Sequence, residues 1–314
     1  MGGETIVRVE GLVKDFRPGF GLTRTRVLHG ISLDVRRGEI FGFIGPNGAG
    51  KTTTLKVLMG LIRSSAGRAE LLGRDVNDPA CRREVGFAPE SPYFYDFLTG
   101  RETLAFYARL CGVEPSRIPA RVDALLAQVG LAHAGDARLR TYSKGMLQRI
   151  GIAQALVHDP TLVFLDEPMS GLDPVGRKEV RDLILSLNAE GKTVFMNTHI
   201  LSDVQMICDR VAIIVKGRIA YQGDLEDLQG EQKLYDATLS SLPPDFAEEL
   251  EARLGPLSGR GGRVSLRLPE KEMHDVLQAA LARGARVEEV VRHREDLETL
   301  FLRTVGSQER EEQP

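Results

Sequence analysis

Five apolar-strand residues, Ile40-Phe-Gly-Phe-Ile44, run directly into Gly45-Pro-Asn-Gly-Ala-Gly-Lys-Thr52, and behind them Leu55, Leu58, Met59 and Ile62 recur at helical spacing. No other stretch constrains the chain so tightly. A short apolar run reads as a strand buried on both faces, and the i, i+3, i+4, i+7 recurrence reads as an amphipathic helix. Between them, Gly45, Gly48 and Gly50, set among Pro46, Asn47 and Ala49, leave backbone N–H groups free to converge on phosphate oxygens where a Cβ would block the approach. The helix N-terminus adds a favourable partial charge there. Lys51 is then placed to reach the β- and γ-phosphates of a nucleotide, and the Thr52 hydroxyl to ligate Mg²⁺, with Thr53 beside them. A plain glycine-rich turn is the alternative. It would require neither the strand before, nor the helix after, nor a second acidic motif downstream.

That second motif is present. Leu162-Val-Phe-Leu-Asp-Glu-Pro168 is four apolar residues followed by two acids, which places both carboxylates at the carboxyl end of a buried strand, where ligands bind in open α/β sheets. Adjacent strand residues point to different sides. Asp166 is therefore suited to hold Mg²⁺, and Glu167 to polarise an attacking water. Tyr142-Ser-Lys-Gly-Met-Leu-Gln-Arg149 precedes this strand and Ser170-Gly-Leu-Asp173 follows it; His199 ends the later apolar run Thr193 to Thr198. That position makes His199 a candidate γ-phosphate contact. His29, His133, His158, His274 and His293 have no such setting and read as surface or packing residues.

The chain has 314 residues, 27% of them charged, with a formal net charge of -3. That balance carries no general electrostatic footprint for nucleic acid or anionic lipid, and no nucleic-acid partner is expected. Val211-Ala-Ile-Ile-Val215, among the longest apolar stretches, falls far short of the roughly 20 residues a membrane helix needs. Cys81, Cys111 and Cys208 lack metal or disulfide spacing, and no secretory leader is visible. A cytoplasmic location is expected.

Residues 1–225 mix β-rich runs with amphipathic helices, the pattern of an α/β domain, with a helical subdomain at about 91–158 around Glu102 to Leu110 and Arg121 to Val129. Arg210–Val215 and Arg218–Tyr221 read as a hairpin turning at Lys216-Gly217. Residues 230–305 form a smaller α/β unit, with strands expected at Leu234–Leu239, Arg263–Leu268 and Arg286–Val291, and helices near Asp245–Leu254, Glu270–Arg283 and Asp296–Val305. Residues 306–314 are expected to be a disordered tail.

With these motifs in this order, the chain resembles the nucleotide-binding subunits of ABC transporters: a P-loop NTPase domain with a helical subdomain and a small C-terminal α/β domain. The resemblance makes Gly45 to Thr53 the Walker A loop, Tyr142 to Met146 the signature loop with Ser143 and Gly145 as its phosphate contacts, and Leu162 to Asp166 the Walker B strand. It makes Glu167 the catalytic acid, Asp173 the end of the D-loop and His199 the switch histidine. It places an aromatic side chain against adenine, for which Phe16 fits and Phe20 is a rival. Two motifs depart from the family pattern. Lys144 and Met146 stand where the signature has glycine and glutamine, and Glu90 stands where the Q-loop has glutamine, as a further candidate for metal-bound water.

The resemblance implies ATP and Mg²⁺ as cofactors, a second copy of the chain or a related ATPase as dimer partner, and integral membrane permease subunits at the cytoplasmic face of the membrane. The C-terminal unit resembles the accessory domain of drug, antibiotic and polysaccharide exporters. Tyr93, Phe94, Tyr95 and Phe97 lie where the family receives a helix of the membrane subunit. An ABC-type ATPase acting on ribosomes or DNA is the alternative; only one Walker A loop is present, and no heptad run. A P-loop kinase or GTPase would lack the signature loop.

Overall fold

The computed structural model describes residues 3–17, 24–228, 234–254, 257–260 and 263–293. They divide into two compact units between Leu225 and Glu226. Phe20, the helix expected over Asp296–Val305 and the tail 306–314 lie outside the described residues.

In the first unit, β1 (Thr5–Phe16), β2 (Thr25–Arg36), β4 (Ala66–Leu71) and β5 (Arg74–Asp75) form an antiparallel sheet in the order β2-β1-β4-β5. A second sheet comprises β3 (Ile40–Ile44), β6 (Val85–Ala88), β7 (Leu162–Asp166), β8 (Thr193–Thr198), β9 (Arg210–Val215) and β10 (Arg218–Asp224), in the order β10-β9-β3-β8-β7-β6. All its pairings are parallel except the β9–β10 hairpin. The helices are α1 (Lys51–Leu58), α2 (Gly100–Leu110), α3 (Ile118–Gln128), α4 (Lys144–Ala155), α5 (Pro174–Ala189) and α6 (Leu201–Ile207), and the short α7 (Leu225–Leu228) spans the boundary of the two units.

The central strands β3, β7, β8 and β9 are buried at every residue, which is why their interiors read as apolar runs. Phe195 sits among three other rings, with centroids 5.4 Å from Phe41, 5.6 Å from Phe43 and 5.1 Å from Phe164. Ile44 pairs with Thr198, and Asp166 with Asn197, so the carboxyl ends of three neighbouring strands finish level. The site is built on that edge.

Helix α1 is shorter than its apolar spacing suggests. Gly60 turns the chain at φ +65, where a Cβ would approach the Arg82 guanidinium to 2.3 Å, so Ile62 lies beyond the helix. Pro119 occupies the first turn of α3, where its missing N–H costs nothing, so the helix starts ahead of Arg121. The three cysteines are free; Cys81 and Cys208 are buried and Cys111 is exposed.

The second unit is a four-stranded antiparallel sheet in the order β12-β13-β11-β14, with β11 (Leu234–Ser240), β12 (Ser258–Arg260), β13 (Arg263–Pro269) and β14 (Arg286–His293). Helices α8 (Pro244–Leu254) and α9 (Glu270–Ala282) bury Phe246, Leu250, Val276 and Ala280 against Ala237, Leu239, Leu266 and Leu268. The three strands expected from sequence are present here; β12 was not anticipated. Among the described residues, no helix is long and apolar enough to cross a membrane.

His158, at the end of the segment following α4, illustrates how packing sets charge. Its Nε2 lies 3.2 Å from the Val85 carbonyl oxygen, its Nδ1 is buried without a partner, and burial holds its pKa below the ordinary histidine value. A depressed folded pKa means that stability is present above the unfolded pKa and is lost as pH falls towards the folded one. We expect the melting temperature to drop more for the wild type than for His158→Gln when pH is lowered from about 8 to about 5.5. Equal drops would show that this ring does not set the acid response.

Candidate functional site

The loop after β3 is shaped by what it cannot hold. A Cβ at Gly45 would lie 2.3 Å from the Ile214 carbonyl oxygen, and one at Gly50, where φ is +111, would lie 2.7 Å from Leu28 Cδ2. Gly48 also has positive φ, but nothing lies within 4 Å of the place its Cβ would take. The loop is thus tight against the sheet and open on the other side. Helix α1 begins at Gly50 with no side-chain cap and no acid in its first turn, which leaves its N-terminal donors to a ligand.

That open side is a cavity of about 370 Å³, a size suited to a small-molecule ligand, lined by Val27, Asn47, Gly48, Gly50, Lys51, Thr52, Thr53, Glu90, Glu167 and His199. The Lys51 ammonium is buried and donates to the carbonyl oxygens of Gly45 at 2.7 Å and Pro46 at 3.3 Å. Burial pushes its pKa down, against the pull of Glu167, Asp166 and Glu90. Thr52 is exposed, and Thr54 is tied back to the Gly50 carbonyl oxygen at 3.0 Å.

The acids meet this loop from β7. Asp166 is buried and accepts a hydrogen bond from Asn197 Nδ2; its pKa is raised by burial, with Asn197 and Lys51 acting in the opposite sense and Glu167 and Glu90 adding to the rise. Glu167 is 8% exposed and sits in the left-handed region at φ +50, a conformation disfavoured for a residue with a Cβ. Four contacts hold it there. Its N–H donates to the Asn197 carbonyl oxygen at 2.8 Å, its carbonyl oxygen accepts from the Ser170 N–H at 3.1 Å, Oε2 accepts from Thr198 Oγ1 at 3.3 Å, and Oε1 lies 2.8 Å from His199 Nδ1. His199 leaves its β8 end half exposed, so the imidazole bridges the carboxylate and the cavity.

Other expected residues stand apart from the cavity lining. Ser143 caps α4, its Oγ accepting from the Met146 N–H at 3.2 Å, and Asp173 caps α5, accepting from the Gly176 N–H at 2.7 Å. Gly145 faces Leu172 and Ser143, and the Lys144 side chain crosses Gly171, where a Cβ would meet its ammonium at 2.0 Å. Within one chain the two loops touch each other. Phe16 ends β1, is 39% exposed, and carries the Lys14 ammonium 4.9 Å from its ring centroid. From that hairpin it is Val27 that lines the cavity, a residue the sequence reading did not single out.

The aromatic segment after Glu90 is a surface. Tyr93 is 95% exposed, Tyr95 54% and Phe97 62%; Tyr95 packs edge-on against Phe106 of α2 at 6.2 Å between centroids. Thr99 and Glu102 form a capping box that starts α2 and so presents Phe106 beside them.

Fold and site together define a P-loop nucleotide-binding α/β unit. Residues 28–170 match the family described as ABC transporter. An uncharacterized ABC transporter ATP-binding protein of Nostoc sp. is 42% identical over 308 residues, which cover 97% of this chain and 91% of that protein. The fluoroquinolones export ATP-binding protein of Mycobacterium tuberculosis is 42% identical over 222 residues, covering 69% of this chain and 70% of that one. A solved structure described as the ATP binding subunit of an ABC transporter superposes with a TM-score of 0.63 at 31% identity, covering 71% of this chain and 92% of that chain. The chain belongs to the ABC transporter ATP-binding proteins: it binds ATP and is an ATPase.

Proposed function

We propose that this ATPase powers an ABC exporter through ATP-driven pairing of two nucleotide-binding units, each docked on an integral membrane permease subunit at the cytoplasmic face of the membrane. One observation carries the pairing. The glycine loop, Glu167 and His199 line one cavity, whereas Ser143, Gly145 and Asp173 are absent from its lining. In this reading the Ser143 hydroxyl and the N-terminus of α4, groups of the kind that bind phosphate, serve a nucleotide held by a second chain. The relative named for fluoroquinolone export supports the direction of transport.

In this reading Gly45 to Thr53 hold the phosphates and Phe16 stacks on adenine. Thr52, Asp166 and Glu90 would hold Mg²⁺: these are hard oxygen donors, and Thr52 and Glu90 line the cavity. The bound ion would offset phosphate charge. Glu167 accepts a proton from the attacking water, and His199 holds the Glu167 carboxylate at 2.8 Å while facing the cavity. The exposed rings of Tyr93, Tyr95, Phe97 and Phe106 receive a permease helix, since aromatic anchors suit such a groove. The unit at 226–300 serves as an accessory domain that regulates or steadies the pair.

Affinity capture from detergent-solubilised membranes tests the assignment. An integral membrane protein is expected to co-purify with the wild type and to be lost with Tyr93→Asp combined with Phe97→Asp, nucleotide affinity remaining unchanged. Recovery of ribosomes or DNA in its place would refute the exporter reading and favour the alternative of an ATPase without a transporter.

A further inference from the structure

Strand β8 is buried along its whole length, yet it ends in two polar side chains, Asn197 and Thr198. Asn197 is fully buried, at 0% exposure, and its Oδ1 has no hydrogen-bond partner. An amide removed from water and only partly satisfied costs stability, and an apolar side chain of similar size would avoid that cost. Packing gives no reason for it.

The neighbours of Asn197 do give one. Asn197 pairs directly with Asp166 across β7 and β8, and its Nδ2 donates to Asp166 Oδ1. Its main-chain carbonyl oxygen accepts the Glu167 N–H at 2.8 Å, at the residue held in the left-handed conformation. We infer that Asn197 is a positioning residue for ATP hydrolysis, its side-chain amide orienting the Asp166 carboxylate while its carbonyl anchors the turn that presents Glu167. This rests on the roles proposed above for the two acids.

The two arms are separable by mutation. Any residue at 197 supplies the carbonyl, but only the amide supplies the donor, so an apolar replacement removes the hold on Asp166 and leaves the Glu167 anchor. Partners that orient a metal-holding carboxylate typically matter by 10- to 100-fold in metal affinity or activity. For Asn197→Val, which suits a buried strand, we expect kcat to fall by about 10- to 100-fold with KM for ATP nearly unchanged. In the full-length chain with ADP, half-saturation by Mn²⁺, read by electron paramagnetic resonance, should weaken by about the same factor. Thermal melting is measured alongside, and Asn197→Ala serves if the valine variant does not fold.

Wild-type Mn²⁺ half-saturation and kcat in a folded Asn197 variant would overturn the inference and leave Asn197 a packing residue. A Glu167→Gln control separates this from failure of the reading beneath it. If that control keeps normal turnover, the assignment of Glu167 falls, while the Mn²⁺ titration still decides whether the Asn197 amide governs Asp166.

Discussion

Replacing Glu167 with glutamine is expected to lower ATP turnover by about 10²- to 10⁴-fold, the range for loss of a positioned general base, while ATP affinity stays at the wild-type level. The two outcomes separate because Glu167 touches neither Lys51 nor the loop backbone through any hydrogen bond; its partners are Thr198, His199, Ser170 and Asn197. Glutamine keeps the size of the side chain and can still meet Thr198 and His199. It cannot take a proton from water. The strain at φ +50 is also retained, since the same main-chain contacts hold the turn, so a loss of turnover would report chemistry and not a collapsed loop. Phosphate release under saturating ATP, set beside binding of a fluorescent nucleotide, reads both quantities. Turnover close to wild type would remove Glu167 from its role. A matching loss of affinity would point instead to a disturbed loop.

How far the chain could be read before its structure depended on the range of each signal. The β3–loop–α1 unit was legible because strand, glycines and helix are contiguous, and each leaves a local trace. The same holds for β7, whose four apolar residues leave Asp166 at the strand end. The antiparallel β1-β2-β4-β5 sheet was not legible as such. Register shifts interrupt the pairing of β1 with β2 at several points, so the alternation that marks a half-buried strand is broken in both.

Asn197 and Val27, the residues missed at the site, matter through contacts that exist only once the chain has folded. Asn197 is a polar residue closing an apolar run, and its register opposite Asp166 exists only after β7 and β8 pair. Val27 reaches the cavity because β2 folds beside the loop, with the Leu28 side chain against Gly50. Lys144 over Gly171 is likewise a tertiary contact between segments that share no local pattern. A polar pair ending a buried strand next to a histidine was the available clue for Asn197 and Thr198.

For Lys51→Met, function and stability are expected to move in opposite directions. Nucleotide affinity should fall by about 100-fold or more, since hydrogen bonds to charged groups contribute roughly 1.5–3 kcal/mol each and an ammonium on phosphate makes at least two. The nucleotide-free protein should nevertheless melt at the same or a higher temperature. The Lys51 ammonium is buried, burial is the dominant influence on its pKa, and the pull of Glu167, Asp166 and Glu90 does not offset it. A basic group whose folded pKa lies below its unfolded value is carried at a cost wherever it is charged, so wild-type stability gains from this residue only as pH rises towards the alkaline range. Methionine fills the space of the stem with no charge to desolvate, and the variant should lack that alkaline gain. Melting curves without nucleotide across neutral to alkaline pH test the stability half. The loss of affinity is read from the rise in melting temperature on adding ATP, which should be present in the wild type and absent in the variant. A variant that melts well below the wild type in the absence of nucleotide would mean that Lys51 holds the loop together through Gly45 and Pro46, and that its burial is structural and not kept for the ligand.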